Sequence, residues 1–400
     1  MTGLLSGLRI IEFQGIGPGP FCGMMLSDHG AEVIRIDRPE TRHDPHDTLG
    51  RSRRSIVIDT RQPDGAALAR RLCASADAVI EGYRPGVMEK LGLGPEVLLA
   101  DNPKLVYGRI TGWGQYGPLA QTAGHDINYL AISGVLSTIG REGENPVPPV
   151  NYVADFGGGG MLFAFGLVAA LLHVRMGGQG QVIDAAMTDG ASLLAGMTWQ
   201  LWSGGYWNEA TGTNWVDSGA PFYDTYRCAD GKHLAVGAIE PKFHALMLER
   251  FGLAGDPVFT GTDQMDPAAW PARKRRMAEV IATRSRDEWV ALFADADGCV
   301  SPVLSLGEAP EHPHQRTRQA FVEVVPGGLQ PAPAPRFSAT PAQVPWQARR
   351  PGEDTLAVLR ELGCGEEEIA RLEAEGAVRA VRGDPADDEL LAMMGARKRR

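Results

Sequence analysis

The chain has 400 residues, 44% of them hydrophobic, and carries 39 Lys and Arg against 49 Asp and Glu, a formal charge of -10. That length suffices for two or three domains with a substantial core, and the acidic balance argues against a generalised nucleic-acid surface while leaving room for a local basic patch. Five cysteines, Cys22, Cys73, Cys228, Cys299 and Cys364, are odd in number and lack CxxC spacing, which reads as free thiols of a reducing compartment. The N-terminal MTGLLSGLRIIEF has no basic region ahead of a long apolar core, and the most apolar later segment, about Met161 to Val174, reads as too short to span a bilayer. The expected location is therefore the cytoplasm, with no membrane partner.

In chain order, LRIIEF reads as a buried strand, GIGPGP as a turn, FCGMMLSDHG as a helix ending in glycine and AEVIRID as a second strand. RSIVID, the helix GAALARRLCASAD, and the strands DAVIEGY, KLVYGRITG and GQVIDAAM extend the alternation. The expected class is α/β with a mainly parallel sheet in a large domain over residues 1–200. Residues 201–221, rich in Gly, Trp and Asn, read as a long connection. A smaller α+β module follows over 222–310, with strands near FYDTYRC and KHLAVGAI and helices near PKFHALMLERF and RKRRMAEVIATR. A proline-dense connection covers 311–345, helical spacing returns from GEDTLAVLRELG and completes the large domain over about 330–375, and 376–400 reads as a loosely attached tail. The sequence shows no internal repeat, coiled coil or metal-spaced cluster.

GIGPGP followed by Asp37 at the end of the next strand partly fits a dinucleotide fingerprint, but Pro20 stands at the third glycine position, and Pro18 and Pro20 lack the N–H groups that cradle a pyrophosphate. The alternative is a Rossmann-like fold without that cofactor, whose Arg38, Arg51, Arg53 and Arg54 are either solvated or hold a phosphorylated ligand. In AGHDINYLAISG, His125 and Asp126 precede an apolar helical run. They are either helix-start polar groups or a proton-transfer site. In NYVADFGGGG, Asp155 precedes four glycines opening an apolar helix. It is either an N-cap with glycines for close packing or an acid at a helix start that favours developing negative charge. A histidine and a carboxylate converging on one carbon make a two-base proton exchanger, which favours pairing His125 with Asp155.

The strings GIGPGP, VIRIDRPE, EGYRPGVMEKLGLGP, GRITGWGQYGP, GHDINYLAISG, ADFGGGG, IDAAMTDG, GAPFYDTYRCADGKHLAVGAIEPKF and SPVLSLGEAPEHPH occur in order between about residues 5 and 375. In these the chain resembles the alpha-methylacyl-CoA racemases of the class III CoA-transferase superfamily. The resemblance implies an interlocked homodimer with a Rossmann-like CoA-binding large domain. The active site then lies between the large domain of one subunit and the small domain of the other. It also implies His125 and Asp155 as the acid/base pair, Glu240 as support for the histidine and Asp126 as a second acid. Arg38, Tyr83, Arg84, Lys90, Gly124, Tyr129, Gly157 and Gly158 become the expected CoA- and substrate-binding residues. The implied reaction is 1,1-proton transfer on a 2-methylacyl-CoA of fatty acid metabolism. It proceeds through an enolate that helix-start N–H groups around Asp155 to Gly158 stabilise, and uses no metal or cofactor apart from the CoA of the substrate. Met161, Met187 and Met197 are candidates for a pliable acyl surface, the alternative being plain core. Rival readings are a CoA transferase with Asp155 as covalent nucleophile and a non-catalytic acyl-CoA binding protein. Thr211, Trp215 and Ser218 depart from the family's commoner pattern in a loop expected to shape the acyl pocket or the dimer crossing.

Overall fold

A computed structural model describes residues 3–325 and 328–382. By contact the chain divides into two units. The first takes the residues up to His125, Ala154–Gly190 and those from Phe321 on; the second takes Asp126–Val153 and Ala191–Ala320.

The first unit is built on strands β1 (Arg9–Phe13), β2 (Glu32–Asp37), β3 (Arg54–Ile58), β4 (Ala78–Glu81), β5 (Val106–Thr111) and β6 (Gln181–Ala186). Their order is β3-β2-β1-β4-β5-β6, all parallel, and Val378–Arg379 pairs antiparallel with β3 at one edge. Short runs such as RIIEF and AVIE are almost wholly buried, as expected where helices cover both faces of a parallel sheet. Helix α1 (Pro18–Asp28) joins β1 to β2, and helix α2 (Pro63–Ala74) carries the chain from β3 back across to β4. The strand order therefore reverses at β1, which opens a crevice beyond the C-terminal ends of β1 and β4, the usual ligand position in such sheets. The helix Leu162–Arg175 packs on β5 and β6, and Gly108 of β5 leaves the space that the Phe163 ring fills.

The second unit has a three-stranded antiparallel sheet, β7 (Tyr223–Arg227), β8 (His233–Gly237) and β9 (Val300–Pro302). Helices Pro241–Arg250, Trp270–Ile281 and Arg286–Leu292 close a core around Leu234, Val236, Met247, Phe251, Met277 and Trp289.

Several expectations are corrected. The stretch read as a proline-dense connection holds a hairpin, β10 (Phe321–Val325) with β11 (Gly328–Pro331). Its short strand of Gly and Pro gave no periodicity, and Arg51 secures it through Gln330 Oε1 at 3.2 Å and the Pro331 carbonyl at 2.7 Å. The expected tail from 376 starts inside the fold, since Val378–Arg379 extends the sheet; residues 383–400 of that tail lie outside the described residues. The apolar segment around Met161 to Val174 belongs to a continuous run Tyr152–Arg175 of 24 residues, long and apolar enough to cross a membrane, because a widened helical segment precedes it. Of its most apolar stretch, 44% is buried in the protein.

The basic run 51–54 is absorbed by the fold. Arg51 pairs with Asp28 at 2.7 Å, Arg53 with Glu12, and Arg54 with Glu32 at 2.6 Å and Glu361 at 2.8 Å. Asp37 is fully buried between Arg35 and Ser55, so its carboxylate is committed inside the fold and not presented as the fingerprint's acid would be. Burial pushes the Glu12 carboxyl above its ordinary range, and the Arg53 guanidinium opposes that shift. Removing one partner of such a pair leaves an uncompensated buried charge. Arg53→Met should therefore lose about 3–5 kcal/mol in urea unfolding, while Glu12→Leu/Arg53→Met should recover part of that loss.

Candidate active site

The candidate site gathers at the crevice where the strand order reverses. Directly after β1, Gln14 Oε1 accepts the Arg38 backbone N–H at 3.1 Å and the Thr41 hydroxyl at 2.7 Å, which fixes the turn leaving β2. The exposed Arg38 guanidinium then lies over the Tyr83 ring, 5.2 Å from its centroid, and the Phe13 ring meets Tyr83 edge-on. Two expected ligand residues are thus brought together as a cation on an aromatic face, an arrangement that presents a charged edge beside a flat apolar surface. Beside it a cavity of about 350 Å³ opens among Gln14, Gly17, Thr41, His43 and Arg349.

The EGYRPGVMEK segment owes its shape to Arg109. This side chain donates to buried Glu81 at 2.7 Å and to Glu89 at 2.8 Å, and Glu81 also accepts the Tyr83 backbone N–H at 2.7 Å. Burial raises the Glu81 carboxyl, with the Tyr83 N–H and Arg109 opposing. Gly86, at a φ of 87°, turns the chain into the helix Val87–Lys90, and Arg84 and Lys90 stand exposed on either side. A side-chain-bearing residue at Gly86 would be strained by that positive φ.

Asp155 is half-buried in the first turn of a π-helix, Tyr152–Met161. The expectation was an ordinary α-helix start. π-Helical segments are rare and frequently accompany functional sites. Their N–H groups bond five residues back, so those of Gly157 and Gly158 are used within the helix and are not the helix-start donors the sequence suggested. The glycines instead permit close packing. A Cβ on Gly160 would press on Phe21 and the Pro18 carbonyl of α1, one on Gly159 would meet Met187, and Gly190 sits directly against the Gly158 carbonyl. The Asp155 carboxylate faces the turn before α1: a Cβ on Gly17 would stand 3.6 Å from Asp155 Oδ2. Met187 is buried here as core, whereas Met161 and Met197 are exposed.

His125 is exposed and ends the first contiguous stretch of the first unit, with Gly124 half-buried before it. The helix Asp126–Ile132 begins at the next residue, and Asp126 and Tyr129 are buried in it. Glu240 lies on the second unit at the N-cap of Pro241–Arg250, exposed, with its carboxylate making no cap bond to its own helix. The loop carrying Thr211, Trp215 and Ser218 is ordered by a residue not singled out in the sequence. Asp217 accepts the backbone N–H groups of Gly212 at 2.9 Å, Asn214 at 2.7 Å and Gly219 at 3.2 Å. Gln14, Thr41 and Arg109 were missed likewise; a polar side chain immediately after a buried strand was the available signal for Gln14.

Against known proteins, the chain matches CoA-transferase family III over residues 5–355 and belongs to that family. More particularly, it is 48% identical over 377 residues to the alpha-methylacyl-CoA racemase of Mus musculus, covering 93% of this chain and 97% of that protein. To the alpha-methylacyl-CoA racemase of Homo sapiens it is 46% identical over 373 residues, covering 93% and 96%. The solved structure of a CAIB/BAIF family protein from Brucella suis superposes with a TM-score of 0.79 at 27% identity, covering 90% of this chain and 100% of that one.

The helix that Glu240 heads rests on His244, which is buried edge-on against Phe222. Burial, then Arg273, lowers the His244 pKa from 6.5 to about 4. Between those values the unfolded chain takes up a proton that the folded chain refuses. The contribution is complete above about pH 6.5 and is lost as pH falls toward 4. Unfolding free energy should fall by about 3 kcal/mol more between pH 7 and pH 4 in the parent protein than in a His244→Phe variant, as read by urea titration at each pH.

Proposed function

We propose that the chain is an isomerase interconverting (2R)- and (2S)-2-methylacyl-CoA thioesters by 1,1-proton transfer. His125 removes the α-proton of one epimer, a planar enolate forms, and protonated Asp155 returns a proton to the opposite face; the roles exchange for the other epimer. The observation that carries this reading is the half-buried Asp155 carboxylate against Gly17 at the sheet's reversal point, in a chain 46–48% identical over nearly its whole length to proteins named alpha-methylacyl-CoA racemase. A thioester α-proton is a weak acid, so its removal near neutral pH needs positioned acid and base groups and stabilisation of the enolate.

In this reading Arg38, Tyr83, Arg84 and Lys90 line the path of CoA, Gly124, Tyr129, Gly157 and Gly158 border the acyl thioester, and Asp126 and Glu240 assist the histidine. The working form is a homodimer. CoA enters as part of the substrate, and the proton transfers need no further cofactor. Membership of a family named for CoA transfer supports one rival, in which Asp155 attacks the thioester as a nucleophile.

Proton NMR of a 2-methylacyl-CoA in deuterated water, with a free carboxylic acid present, separates the two. Loss of the α-proton signal with epimerisation and no CoA on the acid is the expected outcome. His125→Ala and Asp155→Ala should each slow exchange by about 10²-fold or more. An intact α-proton with CoA appearing on the acceptor would assign the transferase chemistry instead.

A further inference from the structure

Glu240 leaves the strand-to-helix turn after β8 with a carboxylate that its own helix does not use. The backbone at 238–240 sets where its Cα–Cβ bond points, and that backbone is held from outside. The side-chain amide of Gln264 donates from Nε2 to the Ile239 carbonyl at 2.6 Å and to the Ala238 carbonyl at 3.4 Å. Gln264 belongs to the loop between the Pro241–Arg250 and Trp270–Ile281 helices, where an irregular segment needs an anchor of its own.

That anchor is Arg273. Its side chain is 1% exposed, and it donates to the carbonyls of Val258 at 3.2 Å, Asp263 at 2.8 Å and Thr262 at 3.1 Å, and to the Thr262 hydroxyl. A buried guanidinium is tolerated when its donors are satisfied, and here it holds the loop through them. Trp270 adds a bond from Nε1 to the Gln264 carbonyl at 3.0 Å, and its ring meets Phe222, which also packs on His244. From Arg273 the chain of contacts runs through residues 262–264 to the two carbonyls preceding Glu240.

We infer that Gln264, fixed by Arg273 and Trp270, is a positioning residue that aims the Glu240 carboxylate for the proton transfer; this rests on the proposed function. An amide is required at position 264 because both groups it meets are carbonyls. Glutamate has the same shape, and as the carboxylate it would turn acceptor toward acceptor.

The test is a double-mutant cycle on racemisation of a 2-methylacyl-CoA by the full-length protein, using Glu240→Gln, Gln264→Glu and the two combined. Gln264→Glu should lower kcat roughly tenfold or more, since small misplacements of a reacting group carry losses of up to about 10²-fold. KM should change less than about twofold, and the combined variant should lose no more than Glu240→Gln alone, as residues acting through one another are non-additive. Additive losses, or an unchanged kcat in Gln264→Glu while Glu240→Gln is impaired, would overturn the inference. Full activity in Glu240→Gln would instead remove the assisting role of Glu240, and the inference with it. Thermal unfolding is followed for each variant. If Gln264→Glu fails to fold, Gln264→Met, which keeps the length and removes the donor, takes its place in the cycle with the same expected and overturning results.

Discussion

The ion pair of Glu12 with Arg53 is buried in the first unit beneath α1, and four separate pieces of chain are tied to it. Glu12 comes from β1 and Arg53 from the residue before β3; Arg53 also donates to the Leu49 carbonyl, and the Arg53 carbonyl accepts Trp346 Nε1 at 3.1 Å. Helix α1 crosses directly over the pair, which is possible only because residue 23 is glycine: a Cβ there would collide with the Glu12 carboxylate. A charge pair in a low-dielectric interior is costly unless its geometry is met, so it restricts how these pieces can be assembled. One result is that the turn Gln14–Gly17, which leaves β1 two residues after Glu12, reaches the crevice from a rigid base.

The π-helix is the complement of that rigidity. Its glycines bring the segment close to Pro18 and Phe21 of α1 and, at Gly158, to Gly190 of the helix Met187–Leu194 that follows β6. Glycine costs helix stability through backbone entropy, and four in succession make this the place where the backbone most readily departs from the ordinary 3.6-residue turn. Packing on both sides then holds the wider form. Asp155 is carried on its first turn, so the height of its carboxylate beside Gly17 follows from how α1 and the glycines meet, and a larger residue at 159 or 160 would move an acid it does not touch.

Much of this was legible in the sequence and some was not, for identifiable reasons. The strands LRIIEF, AEVIRID and RSIVID could be read because each is a short apolar run bounded by turn residues, the pattern of a buried parallel strand. The residues His125, Asp155, Arg38 and Tyr83 could be singled out as candidates because their local strings are distinctive. Partner choice could not be read: nothing local distinguishes Arg53, which is buried against a strand residue 41 positions earlier, from Arg38, which is exposed on a tyrosine ring. The π-helix was hidden because glycine at a helix start has two meanings, close packing and ligand approach, and sequence periodicity does not separate them. Asp217 and Gln264 escaped because their roles are hydrogen bonds to backbone, which leave no compositional mark.

These partner choices decide the electrostatics of the crevice. In an acidic chain, a ligand bearing several phosphates must find positive charge that is not already committed. The run 51–54 offers little of it, since Arg51, Arg53 and Arg54 are each engaged with carboxylates inside or at the edge of the fold. Arg109, at the end of β5, is likewise held between Glu81 and Glu89. Arg38, Arg84 and Lys90 differ: they stand exposed along the edge that runs from β2 to the helix after β4. Under the proposed function, their solvent-facing charge retains long-range attraction for the CoA phosphates while paying little desolvation before they arrive. Arg109 has a different effect there. By fixing Glu81 and Glu89 it shapes the turn from which Arg84 and Lys90 project, so buried charge sets the geometry and leaves the exposed charge uncommitted.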